Sequence, residues 1–228
     1  MIRNWKTTLY NYRHAALLLY FVPYMLWFGW LQGNARPEHW AGSWIDTLIP
    51  FQEVFVIPYL LWFFYVAAAV GYFLVRSKPD YFRLCAFLFG GMTVCLAIYT
   101  VFPNGQILRP LVFPRDNLLT DAVRTIYLAD PPINVCPSIH CFNSIGVNIA
   151  IRRSELGRRH KAVRWGSEVL MVLICMSTVF IKQHSIADVF AAILLAVPFY
   201  FVVYRGAELA RAFRPAPIRT RKVKFENP

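Results

Sequence analysis

The sequence predicts an all-α membrane protein, a bundle of six transmembrane helices formed by a single domain that covers residues 1–228. Two features of the composition predict this class: 57% of the 228 residues are hydrophobic, and only 16% are charged. A soluble domain has about 25% charged residues and about 45–50% apolar ones. The third observation is a series of apolar runs that approach the ~20 residues needed to cross a bilayer.

Six apolar segments are the predicted helices. The first three are long, whereas the fourth and fifth are short and have polar motifs at their ends. Because ionisable groups are costly inside lipid, we expect these polar ends to face protein or water. The six segments are, in order, about 14–31, 51–75, 82–102, 137–151, 167–181 and 186–204.

The distribution of positive charge predicts the orientation of the bundle. The net charge is +12, and 19 of the 24 Lys and Arg residues fall on the side that holds both termini. Cytoplasmic loops are rich in Lys and Arg, so both termini are predicted to be cytoplasmic, in an inner or plasma membrane. A basic tail at about 205–228 would lie on that side. The charges sit between apolar runs, which favours membrane topology over nucleic-acid binding, and no nucleic-acid partner is expected.

A histidine and a carboxylate begin the last segment. His184 and Asp188 are four residues apart, so they share one face of a helix. A carboxylate bonded to one imidazole nitrogen fixes the tautomer and leaves the other nitrogen free to attack. By itself this spacing also fits a plain polar pair that closes a helix end.

A second histidine begins the fourth segment and lies on the same predicted face of the membrane. His140 follows Ser138, which is suited to cap a helix whose first amides, around Ile139, bind an anion. His140 would act as a general acid. Arg109 in the preceding loop and Lys182 beside His184 are candidate phosphate ligands, and each also fits an ordinary interfacial anchor. Asp116, Asp121 and Asp130 are dispersed in the loop and are expected to cap or solvate it.

These motifs resemble the three signatures of the type 2 phosphatidic acid phosphatase (PAP2) superfamily. The resemblance covers roughly residues 102–190 and rests on Arg109-Pro110, Pro137-Ser138-Ile139-His140, and Ser177 followed by His184 and Asp188. It implies a six-span bundle of the PAP2 or haloperoxidase-like type and metal-independent dephosphorylation through a phosphohistidine. In that scheme His184 is the nucleophile, Asp188 orients it, and His140 is the acid that later activates water. The resemblance also implies that Arg109, Ser138 and the amides around Ile139 bind phosphate.

Two cations of the family pattern are missing. Phe102 stands where the family has a lysine, and Thr178 stands where it has an arginine. Lys182 and Arg115 are the candidate substitutes. This reduced pattern, with Asp130 and Asn134 before the second motif, is more similar to the branch that includes inositol phosphorylceramide synthases. Those enzymes pass the headgroup to an alcohol rather than to water.

The sequence thus predicts an integral membrane enzyme that hydrolyses a lipid phosphate or diphosphate at the extracytoplasmic face. No metal and no cofactor are expected, because no carboxylate cluster for hard cations is present at that face. One alternative is a phosphotransferase with an alcohol acceptor. Another is a non-catalytic transporter or scaffold, which is disfavoured because the charges lie at one surface and no internal repeat is visible.

Overall fold

The computed structural model describes residues 10–206 and is mostly helical. Within that range, five helical segments are long and apolar enough to cross a membrane, which confirms the all-α membrane class. They are Arg13–Asn34, Glu53–Arg76, Lys78–Val101, Lys161–Phe180 and Ile186–Arg205. The predicted basic tail lies, from residue 207 onward, outside the described residues.

The helices follow one another with short connections, except between residues 102 and 138. In chain order they are α1 (Phe21–Asn34), α2 (Trp44–Leu48), α3 (Val56–Arg76), α4 (Lys78–Val101), α5 (Leu118–Ala129), α6 (Ile139–Arg153), α7 (Glu155–Arg159), α8 (Lys161–Phe180) and α9 (Ile186–Tyr200). Two 3₁₀ segments precede helices: Arg13–Tyr20 leads into α1, and Glu53–Phe55 leads into α3. A π-helical turn, Phe201–Arg205, follows α9. Two strands of two residues, β1 (His39–Trp40) and β2 (Asn104–Gly105), pair in parallel.

The fourth predicted span is the short central helix α6. It has 15 residues, so it is about 22 Å long, less than a hydrocarbon core requires. It packs against α3, α4, α8 and α9, and its buried face includes Asn143, Ser144 and Asn148. The surrounding helices allow it to be short and partly polar, because they replace lipid around it. A sixth spanning helix therefore stays a prediction.

Two glycines allow α4 and α6 to lie unusually close together. A Cβ atom on Gly91 of α4 would overlap the ring of Phe142, and one on Gly146 of α6 would overlap the ring of Phe87. The two rings stack on each other with centroids 4.8 Å apart. This close packing fixes the position of α6 in the bundle, and with it the position of His140.

The first helix is joined to the bundle along α4 and at both ends. Tyr20 donates to the Phe89 carbonyl at 3.0 Å, and Trp27 Nε1 donates to Thr100 at 3.1 Å. At one end His14 Nε2 bonds the Leu74 carbonyl at 2.9 Å, and at the other Gln32 Nε2 donates to Asp130 Oδ1 at 3.2 Å. Between these two ends a cavity separates α1 from α3.

Three loops meet at one end of the bundle, which we call the histidine end: residues 35–52, 102–138 and 181–185. Asn104 Oδ1 accepts bonds from the amides of Val135 and Cys136 at 2.9 and 2.8 Å. Gln106 Nε2 donates to the Lys182 carbonyl at 2.8 Å. These buried amide side chains satisfy backbone groups in the absence of regular structure, so the loops are held in one arrangement.

Candidate functional site

The two predicted histidines lie side by side at the histidine end. His184 Nε2 is 3.4 Å from His140 Nδ1, and the ring centroids are 5.6 Å apart. His140 is the second residue of α6, whereas His184 lies in the turn between α8 and α9. The rings of Tyr59 and Trp62, both on α3, pack against His140 with centroids 4.8 and 4.4 Å away. The fold thus brings together two imidazoles that are 44 residues apart in the chain.

Asp188 contacts the other nitrogen of His184. Its Oδ2 atom lies 3.3 Å from His184 Nδ1 and also accepts a bond from the Ser185 amide at 2.8 Å. Ser185 Oγ in turn accepts from the Asp188 amide, so the two residues form a capping box at the start of α9. With the proton on Nδ1, the lone pair of His184 Nε2 points towards His140.

The charge state of His184 follows from its neighbours. Burial lowers the pKa of His184, but the hydrogen bond that the ring donates to Asp188 and the negative charge of Asp188 outweigh burial, and the net pKa is raised. A carboxylate beside an imidazole stabilises the imidazolium form. The same contact that orients the ring therefore also makes it more basic.

A tight turn at the end of α8 places His184. The amides of Gln183 and His184 both donate to the Thr178 carbonyl at 2.9 Å. Lys182, which precedes them, adopts a left-handed backbone conformation with φ 56°. This arrangement satisfies carbonyls that a helix end leaves without partners. Ser177, which the third motif singled out, donates to the Ile174 carbonyl at 2.6 Å and is fully buried. It packs inside α8 rather than facing the histidines.

Ser138 caps α6 as predicted. Its Oγ accepts from the Cys141 amide at 3.3 Å, and its own amide donates to the Asp188 carbonyl at 3.2 Å, which links the two motifs directly. Ile139 and His140 are the first two residues of α6. Their amides belong to the group that a helix leaves without an intrahelical acceptor, so they are available to an anion.

Arg109 reaches the site but uses its guanidinium on protein acceptors. It donates to the carbonyls of Tyr127 and Asp130 at 3.0 and 2.5 Å and to Gln183 Oε1 at 2.5 Å. The guanidinium also lies 4.1 Å above the Tyr127 ring, and burial lowers the pKa of Arg109. In this arrangement Arg109 positions Gln183, the neighbour of His184.

The structure does not bring Lys182 or Arg115 to the histidines. Lys182 Nζ donates to the carbonyls of Asp46 and Ile49 at 2.8 and 2.5 Å, at the C-terminal end of α2. Lysine suits that position because it satisfies orphan carbonyls and favours the negative end of the helix dipole. Arg115 binds both carboxylate oxygens of Glu53 at 2.6 and 2.8 Å. Both cations hold loops together.

Asp130 lies in the site, which corrects the expectation that it only caps or solvates the loop. Its carboxylate accepts from Gln32 at 3.2 Å and from Gln183 at 3.0 Å, and burial raises its pKa. Asp46 of α2 and Asn104 of β2 also escaped sequence reasoning. Asp46 Oδ1 accepts from the Ile186 amide at 2.8 Å and so anchors the start of α9. Only a tertiary contact reveals such a residue, since each partner lies far away in the chain.

The histidine pair closes one end of the cavity between α1 and α3. The cavity has a volume of about 710 Å³, within the usual ~300–1,000 Å³ of ligand sites. The polar lining residues are His140, His184, Gln183, Asp130, Asn134 and Asn143, and aromatic and aliphatic residues line most of the rest. Among residues 10–206, no three His, Cys, Asp or Glu side chains are grouped closely enough to hold a metal ion.

Comparison with protein-family models, with curated proteins and with solved structures finds no match to this chain.

Proposed function

We propose that this protein is a metal-independent lipid phosphatase of the membrane, which hydrolyses a lipid phosphate or diphosphate through a phosphohistidine. The observation that carries the proposal is the contact of His184 with both Asp188 and His140 at the polar end of an apolar cavity. One nitrogen is fixed by a carboxylate and the other faces a second imidazole, as nucleophilic catalysis with acid assistance requires. The resemblance of the motifs to the PAP2 superfamily supports the same chemistry.

The reaction has two balanced steps. His184 Nε2 attacks phosphorus, the bond from phosphorus to the lipid oxygen breaks, and His140 donates a proton to the departing oxygen. Water then attacks the phosphohistidine while His140 takes a proton from it, which releases phosphate and restores both rings. The amides of Ile139 and His140 support the anionic oxygens at the start of α6.

The placement of Lys and Arg along the chain supports an extracytoplasmic site with both termini in the cytoplasm. The cation-poor side is the histidine end, where Arg109, Arg115 and Lys182 lie. Loops on the cytoplasmic side are usually the ones rich in Lys and Arg. The headgroup would then be processed at the outer surface of the membrane.

Trapping of the phosphoenzyme tests the mechanism. With a phosphorus-labelled lipid phosphate, the wild-type protein should carry label that is stable in alkali and lost in acid. His184→Ala should carry none. His140→Ala should regain phosphoenzyme formation with an ester whose leaving group needs no proton, and it should then hydrolyse the intermediate slowly. Label on His184→Ala equal to that of the wild type would contradict the proposal.

A second candidate is transfer of a phosphoryl headgroup to an alcohol, and one observation favours it. In the part of the chain that the structure describes, Arg109, Lys182 and Arg115 are all engaged by protein acceptors. A phosphomonoester carries more negative charge than a diester and gains more from cations. Transfer predicts product formation only with an added lipid or polyol alcohol, whereas hydrolysis predicts free phosphate without it.

A further inference from the structure

Two asparagines and a tryptophan line the cavity close to the histidine pair. Asn143 lies on α6, three residues after His140. Trp62 lies on α3, three residues after Tyr59, and both rings pack against His140. Because both helices begin at the histidine end, Asn143 and Trp62 lie one helical turn, about 4.5 Å, deeper in the bundle than His140 and Tyr59. Asn134, in the loop before α6, lines the same cavity.

Four buried polar atoms of these side chains have no hydrogen-bond partner among residues 10–206. They are Nε1 of Trp62, Oδ1 of Asn143, and both Nδ2 and Oδ1 of Asn134. The two asparagines are almost fully buried, with exposed fractions of 2% for Asn143 and 6% for Asn134. A buried polar group without a partner costs free energy, and a hydrocarbon tail offers it neither a donor nor an acceptor. These two donors and two acceptors therefore fit a polar group of a ligand.

The fold holds Asn134 in place without using its side chain. Asn134 has a left-handed backbone with φ 57°, which asparagine tolerates better than most residues. Its amide donates to the Asn104 carbonyl at 2.6 Å, and Asn104 Oδ1 accepts from the amides of Val135 and Cys136. Asn104 thus takes up the backbone donors of this turn. A strained residue of this kind is typical of a functional site rather than of a packing position.

We infer that Asn134, Asn143 and Trp62 bind a hydroxyl group that the substrate lipid carries next to its phosphate. The inference rests on the proposed function, because it places the phosphate between the histidines. A hydroxyl donates and accepts, so it can satisfy an asparagine oxygen and the Trp62 N–H together. An ester or ether oxygen only accepts and would leave the asparagine oxygens unpaired, and a polyprenyl chain has no polar atom. The substrate class is a lipid phosphate with a free hydroxyl two carbons from the ester oxygen.

The depth of Asn143 and Trp62 favours a hydroxyl of the lipid over one from a separate acceptor alcohol. A hydroxyl two carbons beyond the ester oxygen reaches about one helical turn from phosphorus. An acceptor alcohol must instead approach phosphorus itself, at the level of the histidines.

The hydrocarbon tail needs no matching site of its own. The cavity opens to the flank between α1 and α3, where Phe21, Met25 and Phe63 are exposed. A tail of any length can continue from there into the lipid, where it gains as much as in an apolar cavity. Discrimination between lipids therefore falls on the polar linker beside the phosphate.

A matched pair of lipids tests the inference. Hexadecyl glyceryl ether phosphate has a free hydroxyl beside its phosphate-bearing carbon, and hexadecyloxypropyl phosphate lacks only that hydroxyl. The wild-type protein should prefer the first compound in kcat/KM by at least about tenfold, because a site built to bond a hydroxyl rejects an analogue without one. Asn143→Leu, which is similar in shape, and Asn134→Gly, which suits the left-handed backbone, should each lower this ratio towards one. Trp62→Phe, which keeps a ring against His140, should lower it as well.

The matched control is Asn148→Leu on the same helix. Asn148 is buried, does not line the cavity and donates to Ser167 Oγ at 3.1 Å. Its loss should lower the free energy of unfolding and leave the ratio of kcat/KM values at the wild-type value. The ratio separates recognition from folding, because a loss of folded protein affects both lipids equally.

The measurement is phosphate release from purified protein in bilayer nanodiscs, with native mass spectrometry of the two lipids in competition as a second readout. A wild-type ratio near one, or a wild-type ratio retained by both Asn143→Leu and Asn134→Gly, would overturn the inference. Equal reaction of both lipids, with transfer to an added alcohol that Asn143→Leu abolishes, would assign the hydroxyl to an acceptor and overturn it as stated. If the wild-type protein releases no phosphate, the proposed function fails, and the ratio of the bound lipids still decides the inference.

Discussion

His140 Nδ1 lies 3.4 Å from His184 Nε2, a separation that joins the two rings directly. A nucleophile approaches its target atom at about 3–3.5 Å, and a general acid lies about 2.6–3.2 Å from the oxygen that it protonates. Both spans must fit between the two nitrogens during phosphoryl transfer. His184 is held by Asp188, so the proposed mechanism requires that the ring of His140 turns away when substrate binds. In that mechanism the observed contact is a closed form of the site.

Removing the carboxylate that holds His184 should separate orientation from nucleophilicity. Asp188→Asn keeps the shape of the side chain and loses the charge. Because an amide can donate as well as accept a hydrogen bond, it no longer fixes the imidazole proton on Nδ1. We expect kcat of Asp188→Asn to fall by at least about a hundredfold, and we expect kcat of His184→Ala to fall to the uncatalysed background. Single-turnover kinetics measures both. Turnover by His184→Ala near that of the wild type would rule out its role as nucleophile.

The pH dependence of kcat/KM should report the raised pKa of His184. The ring attacks only when it is neutral, so with an ester whose leaving group needs no proton from His140, kcat/KM should rise with pH through this pKa. The acid limb should therefore lie above the ~6.5 of a free imidazole, because the bond and charge of Asp188 outweigh burial. Asp188→Asn removes that charge and should move the acid limb to lower pH. If the acid limb of Asp188→Asn stays at the wild-type pH, the limb reports the titration of a group other than His184.

Lys182 should matter for stability rather than for phosphate binding. Lys182→Met removes the donor from the carbonyls of Asp46 and Ile49, which are its partners at the end of α2. Loss of a buried donor should lower the free energy of unfolding by about 1–3 kcal/mol, measured by denaturant titration in detergent. KM should change little. The control is Lys161→Met, at an exposed position of the opposite end. A higher KM at unchanged stability would instead indicate that the ammonium binds phosphate.

Chelators should leave turnover unchanged. The charge stabilisation in the proposed mechanism comes from imidazoles and helix amides, and no step uses a metal ion. The test is phosphate release after treatment with excess chelator, with and without added Mg²⁺. Activity lost on chelation and restored by Mg²⁺ would contradict the proposed mechanism.

The sequence predicted the histidine pair because its elements are local. The spacing of His184 and Asp188 on one helix face and the cap at Ser138 can both be read from a few neighbouring residues. Their placement at one end of the bundle followed from the alternation of apolar segments. The structure places these side chains together as expected, whereas their chemistry stays a prediction.

The remainder of the site depends on long-range partners that no local pattern reveals. Asp130 meets Gln32 across 98 residues, and Lys182 meets Asp46 across 136. The sequence predicts Lys182 as a phosphate ligand because it is close to His184, but its left-handed backbone and the carbonyls of Asp46 and Ile49 hold it elsewhere. Helix α6 is short because neighbouring helices surround it, a circumstance that hydropathy of one segment does not record.

Phe21, Met25 and Phe63 line the cavity and are also exposed on the flank of the bundle, between α1 and α3. In the proposed reaction, a lipid would therefore enter sideways from the membrane, and water would arrive from the polar loops at the histidine end. Its tail never crosses an aqueous phase, which would cost about 0.8 kcal/mol for each methylene. For the proposed lipid substrate, supply would then depend on two-dimensional diffusion in the bilayer, so the surface density of the lipid, not its bulk concentration, would set the rate of encounter.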